Sequence, residues 1–123
     1  NHYDELDYLT NTLHRTYPRG MDIEIMRTTA LEESFHQAIL PYDKEHVTPY
    51  MRSQPTNRLG NFFQKEDFSY MRLTVDTEED FQLIQEVYKR IQDKNCFDLE
   101  EIVRIVKKEP DLLRINAHIE QRK

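Results

Sequence analysis

Met71-Arg72-Leu73-Thr74-Val75-Asp76-Thr77-Glu78-Glu79-Asp80 joins a short β-type stretch to a helix start, with a carboxylate at the junction. In open α/β sheets the ligand crevice lies just outside the carboxyl ends of strands. An aspartate at that place can hold a hard cation such as Mg²⁺ against a substrate phosphate. Aspartate is also a preferred helix N-cap, and spacing alone favours the cap for Asp76. Thr77 can cap equally well, which would leave Asp76 free. Arg72, four residues earlier, shares a strand face with Asp76, either as a plain ion pair or as a contact to a substrate anion.

The helix that follows is the clearest element. Thr77-Glu78-Glu79-Asp80 caps it, and Phe81, Ile84, Val87, Tyr88 and Ile91 form its apolar stripe. Its acids stand at the start and Lys89, Arg90 and Lys94 at the end, matching the helix dipole. A second helix is capped by Asp98, with Glu101 closing a capping box and Phe97 stapling onto Ile102. Leu99, Ile102, Val103 and Val106 face inward until Pro110, and a last short helix spans residues 111–119 before a basic tail.

Upstream, residues 58–75 read as a hairpin, with strands at 58–63 and 69–75 around a polar turn at 64–67. Phe62, Phe63, Leu73 and Val75 supply its buried positions. Residues 6–13 and 22–26 alternate as strands, the second placing Asp22 and Glu24 on one face. Tyr17-Pro18-Arg19-Gly20 is a turn. Thr29-Ala30-Leu31-Glu32 is a capping box, followed by the stripe Leu31, Phe35, Ala38 and Ile39, and Pro41 ends that helix. Residues 45–51 form a short helix with Pro49 in its first turn.

Composition narrows the function. The chain has 123 residues, 33% charged and 37% hydrophobic, with net charge −6. That is the balance of a globular protein with an extensive wet surface. The basic residues form no stripe, which speaks against a nucleic-acid partner. Apolar runs are too short for a membrane span, and the start shows no signal-peptide pattern. The single Cys96 excludes an internal disulfide and fits a reducing compartment, so a cytoplasmic location is expected. Only Gly20 and Gly60 are present, and no glycine-rich phosphate loop exists. The five histidines show no zinc spacing.

Most candidate polar groups have a plain alternative. Asp22 and Glu24 form either a paired-carboxylate site or a solvated strand face. Arg19, beside Gly20, can bind a carboxylate or phosphate, although turn arginines are common on surfaces. His46, between Glu45 and Thr48, can bond a sugar or phosphate, but a lone histidine is more often structural.

Taken together, Tyr17-Pro18-Arg19-Gly20-Met21-Asp22-Ile23-Glu24, Lys44-Glu45-His46-Val47-Thr48-Pro49-Tyr50 and Arg72-Leu73-Thr74-Val75-Asp76-Thr77 closely resemble one family. It is the spore-coat polysaccharide biosynthesis protein SpsF group, similar to the cytidylyltransferases that make CMP-linked sugar acids. Ile115-Asn116-Ala117-His118-Ile119-Glu120-Gln121 resembles the family's C-terminal ending. The likeness covers nearly the whole chain, but only the second half of a family member.

The resemblance implies an α/β fold, the C-terminal part of a Rossmann-like three-layer sandwich of nucleotide-diphospho-sugar transferase type, with a β-hairpin and C-terminal helices. Residues 1–94 would belong to the nucleotidyltransferase domain and 95–123 to a helical extension. It implies nucleotide transfer from CTP to a sugar or sugar acid, with pyrophosphate leaving, for surface or spore-coat polysaccharide synthesis. Asp76 matches the second-half carboxylate ligand of a catalytic Mg²⁺, whose other carboxylate lies in the first half. Arg19, Asp22 and Glu24 match the segment lining the sugar side, and His46 and Arg72 fall near the same cleft. A homodimer is expected, contacting through the 58–75 hairpin and the helices, and this chain alone is expected to be inactive. The rival reading is a non-catalytic carbohydrate-binding or scaffold module.

Overall fold

A computed structural model describes residues 2–119; the basic tail and the end of the C-terminal motif, Glu120 and Gln121, lie outside the described residues. The fold is mixed α/β and forms two compact units. One takes residues 2–17 and Asp22–Asp67, and the other takes Pro18–Met21 and residues 68–119.

In the first unit, β1 (Tyr8–Thr10), β2 (Glu24–Met26) and β3 (Leu59–Asn61) form a sheet in the order β2-β1-β3. β1 is antiparallel to β2, with Tyr8 opposite Met26, and parallel to β3, with Tyr8 opposite Leu59. The strands are shorter than the alternation predicts because side chains take over the ladder. Thr10 Oγ1 donates to the Ile23 carbonyl at 2.7 Å, and the Ile23 amide donates to Asn11 Oδ1 at 3.0 Å.

The expected 58–75 hairpin does not form. β3 pairs with β1, whereas Arg72 makes a parallel bridge to Arg19 in the other unit. The polar 64–67 stretch therefore links two units instead of turning one ribbon. Phe63 and Val75, read as buried, are exposed.

α1 (Thr28–Gln37) starts from Arg27 with no side-chain cap, because Thr29 already lies inside the helix. Its buried face is Ala30, Ser34 and the following Ala38, and Ala30 packs against Tyr8 and Met51. Apart from Ala38, the predicted stripe is exposed, with Phe35 at 56% and Ile39 at 85%. Small residues face inward on this helix, allowing close approach of its backbone to the core. α1 ends at Gln37, before Pro41 is reached, and Pro41 instead opens a further helix, α2 (Pro41–Glu45). α3 (Val47–Ser53) has Pro49 in its first turn.

The second unit is built on α4 (Glu78–Arg90), α5 (Leu99–Lys108) and a 3₁₀ helix (Pro110–Ile115). Phe68, Met71, Leu83, Val87, Ile91, Ile102, Val103 and Leu112 belong to its core. α5 follows the sequence reading closely: Asp98 caps it, accepting from the Glu101 amide at 3.1 Å. Glu101 does not close the box, because its carboxylate accepts from the Gln92 amide at 3.2 Å. α4 is rotated from the predicted stripe. Asp80, Leu83 and Val87 face inward, while Phe81 and Tyr88 are exposed.

These faces make opposite mutational forecasts. Leu83→Ala should destabilise the second unit by about 2–5 kcal/mol in chemical denaturation, through the cavity it opens. Phe35→Ser should change stability by only about 0.5 kcal/mol. The reverse ranking would restore the predicted stripes.

Candidate functional site

The site of the second unit is organised by Asp80, which is fully buried at the head of α4. Its carboxylate accepts five hydrogen bonds. Arg72 Nε donates to Oδ1 and Nη2 to Oδ2, both at 2.9 Å, a bidentate fork that suits a planar guanidinium. Thr74 Oγ1 donates to Oδ2 at 2.7 Å, and the Asp76 amide donates to the same oxygen at 3.1 Å. From the C-terminal segment, Asn116 Nδ2 donates to Oδ1 at 2.9 Å and to the Arg72 carbonyl at 3.0 Å.

A buried carboxylate is costly unless paired and fully hydrogen-bonded, and Asp80 meets both conditions. The Arg72 guanidinium holds its carboxyl well below the usual carboxylate range, with Thr74, Asn116 and the Asp76 amide acting in the same direction against burial. Asp80 raises Arg72 in turn, chiefly through the same hydrogen bonds.

Thr77, not Asp76, caps α4: its hydroxyl accepts from the Asp80 amide at 3.1 Å. Asp76 is therefore released from capping. Its side chain is 73% exposed, with Oδ2 3.6 Å from Arg72 Nη2, whereas Arg72 is only 11% exposed. The result is an open carboxylate on a backbone fixed by a buried one. Such a group can ligate a hard cation; Arg72, committed to Asp80, can steady Asp76 but is largely withdrawn from solvent.

Arg19 lies beside Arg72 through their parallel bridge. Its amide donates to the Met71 carbonyl at 2.9 Å, and its carbonyl accepts from the Leu73 amide at 2.7 Å. Gly20 follows with φ 102°, where a Cβ would collide with the Leu73 carbonyl. The second unit thus brings together Arg19, Arg72 and Asp76.

The other candidates belong to the first unit. Asp22 is held in a bidentate pair by Arg15, at 2.7 and 3.0 Å. Glu24 is exposed on β2. His46 sits at the junction of α2 and α3, its ring 4.8 Å from that of Tyr42 and its Nε2 3.9 Å from Glu45. Among the described residues, no group of three or more His, Cys, Asp or Glu side chains converges on a metal position.

Sequence reasoning missed Asp80, Thr74 and Asn116. The available signal was the spacing of Asp80, Leu83, Val87 and Ile91, an inward stripe headed by a carboxylate eight residues beyond an arginine.

No protein-family model matches the chain. It is 33% identical over 108 residues to the uncharacterized protein MJ1063 of Methanocaldococcus jannaschii, covering 84% of this chain and 43% of that protein. It is 28% identical over 92 residues to the spore coat polysaccharide biosynthesis protein SpsF of Bacillus subtilis, covering 72% of this chain and 35% of the relative. The structure of a cytidylyltransferase from Leptospira borgpetersenii serovar Hardjo-bovis superposes with a TM-score of 0.83 and 31% identity. That match covers 95% of this chain and 49% of the other. The chain spans less than half the length of each of these proteins. No helix among the described residues is long and apolar enough to cross a membrane.

The clamp sets two stability forecasts. Asp80→Asn, which breaks a buried pair, should cost about 3–5 kcal/mol in denaturant titration. Because the folded-state pKa of Asp80 is depressed, its stabilisation is complete above the unfolded carboxylate value, about 3.9. It is lost as pH falls below that value toward the folded one. The wild-type acid limb should therefore be steeper than that of Asp80→Asn; identical limbs would remove Asp80 from the account.

Proposed function

We propose that this chain, a cytidylyltransferase/SpsF-like family member, is the second half of an enzyme that transfers a nucleotide from CTP to a sugar or sugar acid for surface or spore-coat polysaccharide synthesis, releasing pyrophosphate. The observation that carries the reading is the open Asp76 carboxylate, with its backbone clamped to buried Asp80 and Arg72 3.6 Å away. The likeness to a solved cytidylyltransferase over most of the chain supports it.

Phosphoryl-transfer enzymes act mainly by positioning reactants and stabilising charge. Mg²⁺ when bound would neutralise charge on the triphosphate and its pyrophosphate leaving group. Asp76 fits one ligand position, since this ion commonly takes one or two protein carboxylates and fills the rest with water and phosphate oxygens. In this proposal the second carboxylate comes from the part of the enzyme not represented in these residues. Arg72 steadies Asp76 electrostatically. Arg19, Asp22, Glu24 and His46 serve the sugar side.

The exposed Leu31 and Phe35 of α1, with Ile39 just beyond its end, support the homodimer proposal, because exposed apolar surface is commonly covered by association. This surface replaces the hairpin as the proposed contact.

Pyrophosphate release from CTP, Mg²⁺ and candidate sugar acids tests the activity. The full-length enzyme should release it, this chain alone should not, and Asp76→Asn in the full-length enzyme should lower kcat at least about 100-fold with its unfolding midpoint unchanged. Full activity of Asp76→Asn would refute the ligand role, and turnover by this chain alone would refute the half-site. Light scattering should give a dimer mass that Phe35→Ser reduces to monomer.

A further inference from the structure

We infer that Tyr8 is a positioning residue for Glu24: the buried Tyr8 hydroxyl donates to the Glu24 carboxylate turned inward over the first-unit sheet, with Arg52 as that carboxylate's counter-ion. The use of a fixed Glu24 on the sugar side rests on the nucleotidyl-transfer reading; the contact itself does not.

The hydroxyl demands a partner. Tyr8 is fully buried against Ala30 and Met51, and its hydroxyl makes no hydrogen bond in the conformation observed. A phenol shut away from water without an acceptor loses its hydration and gains nothing in return. Water cannot relieve it, because the oxygen has virtually no accessible surface. The acceptor must therefore come from a neighbouring side chain.

The sheet register names that side chain. Tyr8 stands opposite Met26 and Thr10 opposite Glu24, so Glu24 is the diagonal neighbour of Tyr8 on one face of the β1–β2 pair. Diagonal neighbours lie within reach of an aromatic ring and a long side chain. Thr10, on the same face, is already engaged: its hydroxyl donates to the Ile23 carbonyl at 2.7 Å and accepts from the Thr12 amide at 3.3 Å. Glu24 is exposed and makes no hydrogen bond or ion pair among the described residues. The same holds for Arg52, which follows the Met51 that packs on Tyr8.

Both charges are felt at the phenol. Burial raises it above its ordinary value, the Glu24 charge raises it further, and the Arg52 charge opposes them. Rotation about the Glu24 side-chain bonds satisfies all three groups: one carboxylate oxygen accepts from Tyr8, and the other faces the Arg52 guanidinium. A hydrogen bond to a carboxylate is about twice as strong as a neutral one, which offsets drawing Glu24 out of water.

A double-mutant cycle in thermal unfolding of the 123-residue chain tests this. Tyr8→Phe should lower the unfolding midpoint by at least about 4 °C. In a Glu24→Ala background the same substitution should leave the midpoint unchanged or raise it, because the phenol is then already unpaired. Glu24→Gln, which keeps an acceptor, should retain at least about half of the Tyr8→Phe shift. In the wild-type chain the Glu24 side-chain methylenes should show NOEs to the Tyr8 ring. A midpoint that Tyr8→Phe leaves unchanged or raises, an equal loss in both backgrounds, or the absence of those NOEs would overturn the inference. Because no turnover is measured, a failure of nucleotide transfer in the full-length enzyme would leave a positive result here intact.

Discussion

The second unit depends on one buried carboxylate. Asp80 has no access to water, so every lone pair it presents must be satisfied from within the protein. The partners that satisfy it come from three stretches: Arg72 and Thr74 before the helix, the Asp76 amide at its threshold, and Asn116 after the last core helix. A single charge thereby fixes the approach to α4 and the C-terminal segment against each other. Removing any one partner leaves part of that charge unsatisfied, which is why the arrangement is rigid.

That rigidity has a chemical consequence one turn away. Thr77 caps α4, so Asp76 does not have to, and the Asp80 clamp holds the Asp76 backbone while its carboxylate stays in water. Two aspartates four residues apart thus take opposite parts. One is consumed by structure and organises the other. Arg72 is shared between them, at 2.9 Å from the buried carboxylate and 3.6 Å from the exposed one, so its positive charge belongs mainly to Asp80.

Where local rules act alone, the sequence was legible. The Asp98 cap, the inward side of α5 and the α3 helix around Pro49 follow from short-range chemistry. Two of the three resemblance motifs contain Arg19, Arg72 and Asp76, which the second unit brings together. Misreadings arose where tertiary context overrides pattern. On α4 a polar residue faces the core because distant groups satisfy it, so an apolar stripe could not reveal Asp80. On α1 the helix packs through Ala30, Ser34 and Ala38, leaving its larger apolar residues outside. In residues 58–75 two strand-like runs suggested a hairpin, but their partners are β1 and Arg19, far away in sequence. Spacing could not announce Asn116 either, since its contacts span 36 and 44 residues.

The central claim is that Asp76 is the metal-binding carboxylate released by the Thr77 cap and held by Asp80. It is tested most directly by titrating the isotopically labelled chain with Mn²⁺, a paramagnetic substitute for Mg²⁺, and following amide line broadening. The account predicts broadening strongest at residues 75–78 and its loss in Asp76→Asn, with Asp80 remaining buried and paired. Broadening centred elsewhere, or equally strong after Asp76→Asn, would contradict it.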